Sequence, residues 1–361
     1  MIDSNETQLF NSKISILTIP RENFWIFKSG ILEIIYLIAE SYDDRSNSRY
    51  SDNDSSSLRS NDSNNNMSNN NNSDNEDEID DELFFHLAFT SEEVTLMCCS
   101  KLIKKYLSNA IKLDKESILI NDEFFIIQVF SDGLNIGEKI LEITQPLSLN
   151  NITLFFISNY FSDLVLVPIK DKELVINILN EKKKDNNNDE DNGKQIELEN
   201  KTFELLNNNN IKPKLNTNVK LTLTGARIGD SLEILKQTAE NISKLNTEKF
   251  SDNNNRSFPE YFAITRTPTE EIGLLIPFNK NDKNKLNYSN KNLIGSLDED
   301  YYYPIIIDLK KLPLDLKGIA SGIASRLIRE NIKEMSYLSF GRSGIVLIPD
   351  MFIEIVDKLI S

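Results

Sequence analysis

Alternating apolar and polar residues, followed by runs with helical spacing, recur along this chain in a constant order. The first strand-like run is KISILTIP (Lys13–Pro20), and Arg21–Glu40 then places its apolar residues at helical spacing. Two further strand-like runs, Leu83–Thr90 and Glu92–Cys99, are joined tightly and lead into a helix-like run, Ser100–Leu113. This quarter of the chain therefore predicts a strand–helix–strand–strand–helix unit.

The same order of strands and helices recurs three more times. ITLFFISNYFSDLVLVPIKDKELVINIL (Ile152–Leu179) and IKEMSYLSFGRSGIVLIPDMFIEIVDKL (Ile332–Leu359) both run strand, polar-aromatic turn, strand, proline and helix. A βαββαβ unit of about this size is the ferredoxin-like module, and modules this small pair their sheets to cover exposed edges. We therefore predict an α+β protein of four tandem ferredoxin-like (βαββαβ) modules, with sheets pairing between repeats.

The repeats predict the boundaries of the four units. Unit 1 spans residues 13–113, unit 2 spans 118–182, unit 3 spans 213–296 and unit 4 spans 297–361, with a solvated linker over 183–212. Unit 1 is interrupted by residues 43–82, an Asn- and Ser-rich segment with almost no core-forming residue, which we predict to be disordered. This segment holds twelve acids against three arginines, so it carries nine of the sixteen net negative charges.

The charge and hydrophobicity of the rest of the chain argue against two classes of protein, those that bind nucleic acid and those that span a membrane. The remaining chain is only mildly acidic, whereas a surface that binds nucleic acid needs a basic face. No apolar run approaches the roughly 18 residues of a membrane span, and the first residues do not resemble a signal peptide. The two cysteines, Cys98 and Cys99, are adjacent and cannot easily bridge each other. We therefore predict a cytoplasmic protein that binds neither nucleic acid nor membrane.

Residues suited to catalysis are scarce. The single histidine, His86, lies in a strand among aromatic residues, where a buried structural role is expected. No zinc-site spacing, dinucleotide-binding glycine motif or phosphate-binding loop is present. We predict a regulatory binding protein rather than an enzyme, with no catalytic residue, metal or cofactor. Isolated glycines near strand–helix junctions either pack closely or let a ligand approach the backbone; these are Gly318, Gly322, Gly341 and Gly344.

The order of four longer segments resembles the CASTOR family of cytosolic amino-acid sensors, which are built from four ACT domains. IPRENFWIFKSGILEIIYL with LFFHLAFTSEEVTLM resembles the first unit of that family, and IKPKLNTNVKLTLTGA resembles the start of the third. QPLSLNNITLFFISNYFSDLVLVPIKD resembles the second unit most specifically, and GIASGIASRLIRENIKEMSYLSFGRSGIVLIPD resembles the fourth. The resemblance implies four ACT domains in this chain, each a βαββαβ regulatory module.

This resemblance also implies a ligand site between units 2 and 4. The implied residues are Thr153, Leu154, Asp315, Gly318, Ile319, Ala320, Ser339 and Phe340. Two acids of the family's arginine site are absent, because Leu316 stands at one position and Ser343 or Gly344 at the other. A guanidinium without a carboxylate partner loses about 1.5–3 kcal/mol for each charge-assisted hydrogen bond. The expected ligand is therefore a less basic amino acid or another small metabolite, and Arg342 could favour an acidic one.

A surface for a partner complex is implied by the same resemblance. The family's partner is the WD-repeat GATOR assembly upstream of the TOR kinase, and the matching turn here contains Tyr160, Phe161, Ser162 and Asp163. Of these we expect Tyr160, Phe161 and Asp163 to bind a partner, with a packed β-turn as the alternative. The family also implies a homodimer.

Three functions remain open from the sequence. The first is an amino-acid sensor or adaptor of TOR signalling, in which ligand binding shifts the arrangement of units 2 and 4. The second is a constitutive scaffold with a degenerate pocket. The third is a regulatory part of amino-acid metabolism.

Overall fold

The computed structural model describes residues 7–51, 82–130, 136–182, 188–245, 258–278, 286–295, 300–313 and 317–360. Most of the segment predicted to be disordered, residues 52–81, lies outside the described residues. Its beginning is helical, because the first helix continues to Ser51. At its other end, the carboxylate of Glu82 accepts a hydrogen bond from the backbone N–H of Asn11 at 2.7 Å. The prediction of disorder was therefore wrong for the residues up to Ser51.

The first half of the chain contains two successive βαββα segments. The elements of the first segment are β1 (Thr7–Pro20), α1 (Phe24–Ser51), β2 (Phe85–Phe89), β3 (Glu93–Cys99) and α2 (Ser100–Leu113). The short strand β4 (Ile118–Leu119) follows, and the second segment consists of β5 (Phe124–Val129), α3 (Ile136–Leu149), β6 (Phe155–Ser158), β7 (Asp163–Pro168) and α4 (Lys172–Lys182).

The second half repeats this order after an additional helix. That helix is α5 (Asn188–Asn208), and the third segment contains β8 (Lys214–Leu215), β9 (Leu221–Ala226), α6 (Ser231–Ser243), β10 (Phe262–Arg266) and β11 (Ile272–Pro277). The fourth segment contains β12 (Leu293–Ile294), β13 (Tyr302–Asp308), α7 (Ile319–Arg329), β14 (Ser336–Ser339), β15 (Ser343–Pro349) and α8 (Ile353–Ile360). The predicted strands and helices of all four units are thus present.

All four segments arrange their strands in the same antiparallel order. In each, the third strand lies between the first and the second, giving β1–β3–β2, β5–β7–β6, β9–β11–β10 and β13–β15–β14. This arrangement is the strand order of a ferredoxin-like βαββ unit. The fold is therefore mixed α and β with ferredoxin-like elements, as predicted. The exact unit boundaries stay predictions.

The sheets pair between units, as predicted, and the pairing closes on itself. Unit 1 joins unit 3 where β2 pairs with β10, and unit 2 joins unit 4 where β6 pairs with β14. Strand β1 also pairs with β5, and Tyr302 of β13 pairs with Leu221 of β9. These contacts connect 12 strands in a closed ring. Each of these 12 strands thus has two neighbours, so within the described part of the chain the ring leaves no long strand edge unpaired.

Helices of paired units pack together on the sheet. Helix α1 contacts α6, joining units 1 and 3, and α3 contacts α7, joining units 2 and 4. Each helix pair covers its own apolar cluster; Phe27 and Ile234 belong to the first, and Ile140 and Ile323 to the second. No helix within the described ranges has the length and apolar character needed to cross a bilayer.

The segment predicted as a solvated linker, residues 183–212, contains helix α5 instead. This helix packs against α7, and its buried residues are Leu198, Glu199, Thr202 and Leu206. Their spacing places them on one helix face. The prediction of a solvated spacer was wrong because the many asparagines and charges of the segment masked a narrow buried stripe.

Candidate functional site

The candidate site begins where helix α7 starts. Gly318 precedes the helix with a φ of 82°, in the left-handed region that strains a residue with a side chain. The Gly318 carbonyl accepts hydrogen bonds from the Gly322 N–H at 2.8 Å and from the Thr202 hydroxyl at 3.1 Å. The backbone N–H groups of a first helical turn lack acceptors within the helix. Ile319 and Ala320 therefore offer N–H groups that suit a carboxylate.

Beside the start of α7, serine hydroxyls accept hydrogen bonds across the boundary between units 2 and 4. Only Ile157 and Leu338 form a regular pair between β6 and β14. Next to that pair, the Phe156 N–H donates to the Ser339 hydroxyl at 2.9 Å. The Tyr337 N–H likewise donates to the Ser158 hydroxyl at 3.0 Å. These serine side chains thus satisfy backbone donors of β6 and β14 that make no regular ladder hydrogen bond.

A small cavity lies between units 2 and 4, and we term it the interunit cavity. It is lined by Ser148, Leu154, Phe155, Leu309, Pro313, Gly318, Ile319, Ala320, Tyr337, Ser339, Phe340, Gly341 and Ser343. Its volume is about 50 Å³, whereas a cavity needs about 10–15 Å³ to hold one water molecule. None of these lining residues is charged. Hydroxyls, backbone groups and apolar side chains therefore form its walls.

The structure brings most of the predicted ligand residues together around this cavity. Leu154, Gly318, Ile319, Ala320, Ser339 and Phe340 all line it. Thr153 precedes Leu154 but is not part of the lining. Asp315 lies outside the described residues. That a ligand binds here stays a prediction.

Sequence reasoning did not assign Ser148, Tyr337 or Ser343 to the ligand site. Ser148 on α3 is within hydrogen-bonding distance of Ser321 on α7, with 2.9 Å between their buried hydroxyl oxygens. In the sequence, a serine within the apolar face of each helix only weakly predicts that these two hydroxyls meet. Ser343 was considered only as a position where an acid was missing.

The turn between β14 and β15 docks on unit 1. The Gly341 N–H donates to the Thr95 hydroxyl at 3.1 Å. A Cβ at Gly341 would collide with the Thr18 hydroxyl, so close packing accounts for this glycine. Ser343 and the backbone of Arg342 both contact Glu93 of β3. One wall of the interunit cavity is therefore held by a third unit.

The residues predicted to bind a partner differ in exposure: Asp163 is buried, Phe161 is half-buried and Tyr160 is exposed. Phe161 packs against Gly225 of β9, where an added Cβ would lie 2.5 Å from its ring. Asp163 is 4% exposed, and burial raises the pKa of its carboxyl to about 7. Tyr160 remains 38% exposed beside Phe161. The prediction that Asp163 contacts a partner was therefore wrong, because its side chain is buried, whereas partner binding by Tyr160 and the half-buried Phe161 stays a prediction.

His86 has the buried structural role predicted for it. Its Nδ1 lies 2.9 Å from the Thr265 hydroxyl at the junction of β2 and β10. Desolvation lowers the pKa of the imidazole to about 3, so the ring is neutral at physiological pH. Cys98 and Cys99 are buried and unbridged, as predicted. Within the described ranges, no three side chains of metal-binding type cluster together.

Comparison with known proteins identifies one part of the chain. Residues 119–181 match the family model described as ACT domain. The match spans most of unit 2, including β6, which borders the interunit cavity. This part of the chain is therefore an ACT domain.

Comparison with solved structures aligns the chain with aspartate kinase from Synechocystis. Its TM-score is 0.31 at 10% sequence identity, and the alignment covers 98% of this chain and 54% of the kinase chain. This chain thus aligns with about half the length of that protein. No curated protein matches the chain.

Proposed function

We propose that this protein is a non-enzymatic amino-acid sensor composed of four ACT-type units, with its ligand site in the interunit cavity. The observation that carries this proposal is a cavity whose walls come from an ACT domain and from its paired unit. The repeated βαββ strand order supports the extension of the ACT assignment to units 1, 3 and 4.

The chemistry of the cavity walls suits a small zwitterion. The first turn of α7 offers N–H groups and a positive helix dipole to a carboxylate. Ser148, Ser339 and Ser343 offer hydroxyl oxygens, which can accept hydrogen bonds from an ammonium group. Apolar contacts come from Leu154 and Phe340. A free amino acid combines the groups that these walls would satisfy.

The ligand should be small and should not be arginine. A cavity of about 50 Å³ is too small to enclose a long side chain without rearrangement. Because the described lining residues include no carboxylate, a guanidinium would also lose water contacts without gaining an ion pair from them. Glycine, alanine and serine are the amino acids that fit these limits best.

Ligand binding would regulate the protein by joining units 2 and 4. A ligand that touches both β6 and α7 favours arrangements in which these elements lie close together. The resemblance to the CASTOR family suggests that a cytoplasmic, GATOR-like WD-repeat complex of the TOR pathway reads this change, and that the chain forms a homodimer. Tyr160 is the exposed residue at the implied partner surface.

A thermal-shift screen with the twenty amino acids individually tests the proposal. We expect a small amino acid to raise the melting temperature, since a ligand that binds only the folded state stabilises it by mass action. Leu154→Trp should abolish this shift by filling the cavity. The control Leu174→Trp changes an exposed leucine on α4 and should leave the shift intact.

The screen also separates a sensor from a scaffold. If no amino acid raises the melting temperature of the unmodified protein, the sensor proposal fails and constitutive binding is favoured. An equal shift in Leu154→Trp would place the ligand outside the interunit cavity. Affinity capture with the Tyr160→Ala variant as a control would then distinguish a WD-repeat complex from a biosynthetic enzyme as the partner.

A further inference from the structure

A buried carboxylate of unit 1 stands directly behind the wall of the interunit cavity. Glu93, at the start of β3, is 4% exposed. Its Oε1 accepts hydrogen bonds from the Ser343 hydroxyl at 2.6 Å and from the Arg342 N–H at 3.3 Å. Its Oε2 is also buried and has no hydrogen-bond donor within the described residues. Burial of a partly satisfied carboxylate is costly, so this arrangement calls for an explanation.

The hydrogen bond to Glu93 fixes what Ser343 can offer a ligand. A serine hydroxyl has one proton to donate and two lone pairs that accept. Because that proton is directed to Glu93, the Ser343 oxygen can act only as an acceptor towards another group. Ser343 lines the interunit cavity, so this part of the wall favours a ligand group that donates hydrogen bonds.

The charges around Glu93 strengthen this preference. The Asp308 carboxylate lies close enough to repel Glu93, while the Arg342 guanidinium attracts it. Burial has the largest effect and raises the pKa of Glu93, whereas the hydrogen bonds from Ser343 and Arg342 lower it. Among the described residues, Glu93 and Asp308 thus lie near one arginine, Arg342, behind the Ser343 wall. A cationic donor placed against Ser343 would be stabilised, and an anion there would be repelled.

We infer that Glu93 is the specificity-determining residue of the interunit cavity, selecting through Ser343 for a ligand with a protonated amine. This inference rests on the proposed function. The ligand's ammonium group lies against Ser343, and its carboxylate lies against the N–H groups at the start of α7. The ligand thus couples three units rather than two.

The test compares small amino acids with the same acids lacking the amine. The probes are glycine, L-alanine and L-serine, paired with acetate, propionate and 3-hydroxypropionate, titrated by calorimetry into the full chain. We expect the unmodified protein to bind at least one amino acid tenfold or more tightly than its counterpart. Glu93→Gln should reduce this preference about tenfold, and Ser343→Ala should reduce it similarly. The double variant should show little further loss, because both residues act through one hydrogen bond.

Two controls separate specificity from a general effect on folding. Glu92→Gln changes an exposed neighbouring acid that pairs with Lys310, and it should preserve the preference. Ser343→Thr retains a hydroxyl and should retain most of the preference. If Glu93→Gln does not fold, the Ser343→Ala and Ser343→Thr pair still decides the question.

The possible failures are distinguishable. An unchanged preference in folded Glu93→Gln and Ser343→Ala, with amino-acid binding intact, would overturn this inference and leave the proposed function standing. Equal binding of each amino acid and its amine-free counterpart by the unmodified protein would also overturn it. Absence of binding by all probes would overturn both the inference and the small-ligand site.

Discussion

At the scale of single residues, Asp163 shows why a polar pattern in the sequence can be misread. The turn Tyr160–Asp163 looks like an exposed aromatic and acidic surface. In the fold, a glycine at 225 lets Phe161 pack against β9, and Asp163 is buried at the start of β7. Nothing in the local sequence identifies the distant strand that accepts the turn. Contacts of this kind depend on the closure of the whole sheet.

Burial of Asp163 should make stability depend on pH. Its carboxyl has a pKa raised to about 7 by desolvation, against about 3.9 when unfolded. The folded state therefore binds this proton more tightly than the unfolded state does. The resulting contribution of Asp163 to the free energy of unfolding is fully present below pH 4 and is lost as the pH rises through 7. We expect Asp163→Asn to remove this loss, on the order of 2–4 kcal/mol between pH 4 and pH 8. Urea unfolding at several pH values measures the difference from the unmodified protein.

A matched control shows whether other titrating groups account for the pH dependence of stability. Asp300 is exposed, and Asp300→Asn should give a stability curve parallel to that of the unmodified protein. If the Asp163→Asn curve is also parallel, the carboxyl is not protonated by burial.

At the scale of secondary-structure elements, α5 is the feature that sequence reasoning missed. Helix α7 and strand β6 could be predicted because their apolar residues follow a clear period. Helix α5 is surrounded by asparagines and charges, and its buried face includes Glu199, which a hydrophobic pattern cannot reveal. Three residues of α7 contact the Glu199 carboxylate. Arg326 and Arg329 form ion pairs with it, and the Ser325 hydroxyl donates a hydrogen bond to it at 3.3 Å.

This buried ion pair should hold α5 on α7 and thereby support the start of α7. Glu199→Gln leaves two partly exposed arginines without their acid, and we expect a loss of about 1–3 kcal/mol in the free energy of unfolding. The control Glu197→Gln alters an exposed acid that pairs with Lys201 on the same helix, and its stability should equal that of the unmodified protein. Equal denaturant midpoints for the two variants would show that the α5–α7 contact contributes nothing.

At the scale of the whole molecule, the closed ring explains how a small cavity can form between two units. The repeated βαββ pattern and the pairing of sheets between units could be predicted, because each small unit leaves sheet edges that another unit must cover, whereas the pairing of unit 2 with unit 4 in particular was implied only by the family resemblance. The closure through β1–β5 and β9–β13 could not be predicted, since it depends on single pairings between distant residues such as Tyr302 and Leu221. In the closed ring, Glu93 of unit 1 contacts Ser343 at the wall of the interunit cavity.

The most direct test of the central claim is a crystal structure of the protein grown with glycine, L-alanine and L-serine. The account predicts density for one amino acid in the interunit cavity, between Leu154 and the first turn of α7. Its carboxylate should lie at the N–H groups of Ile319 and Ala320. A cavity occupied only by water, or an amino acid bound elsewhere, would contradict the account.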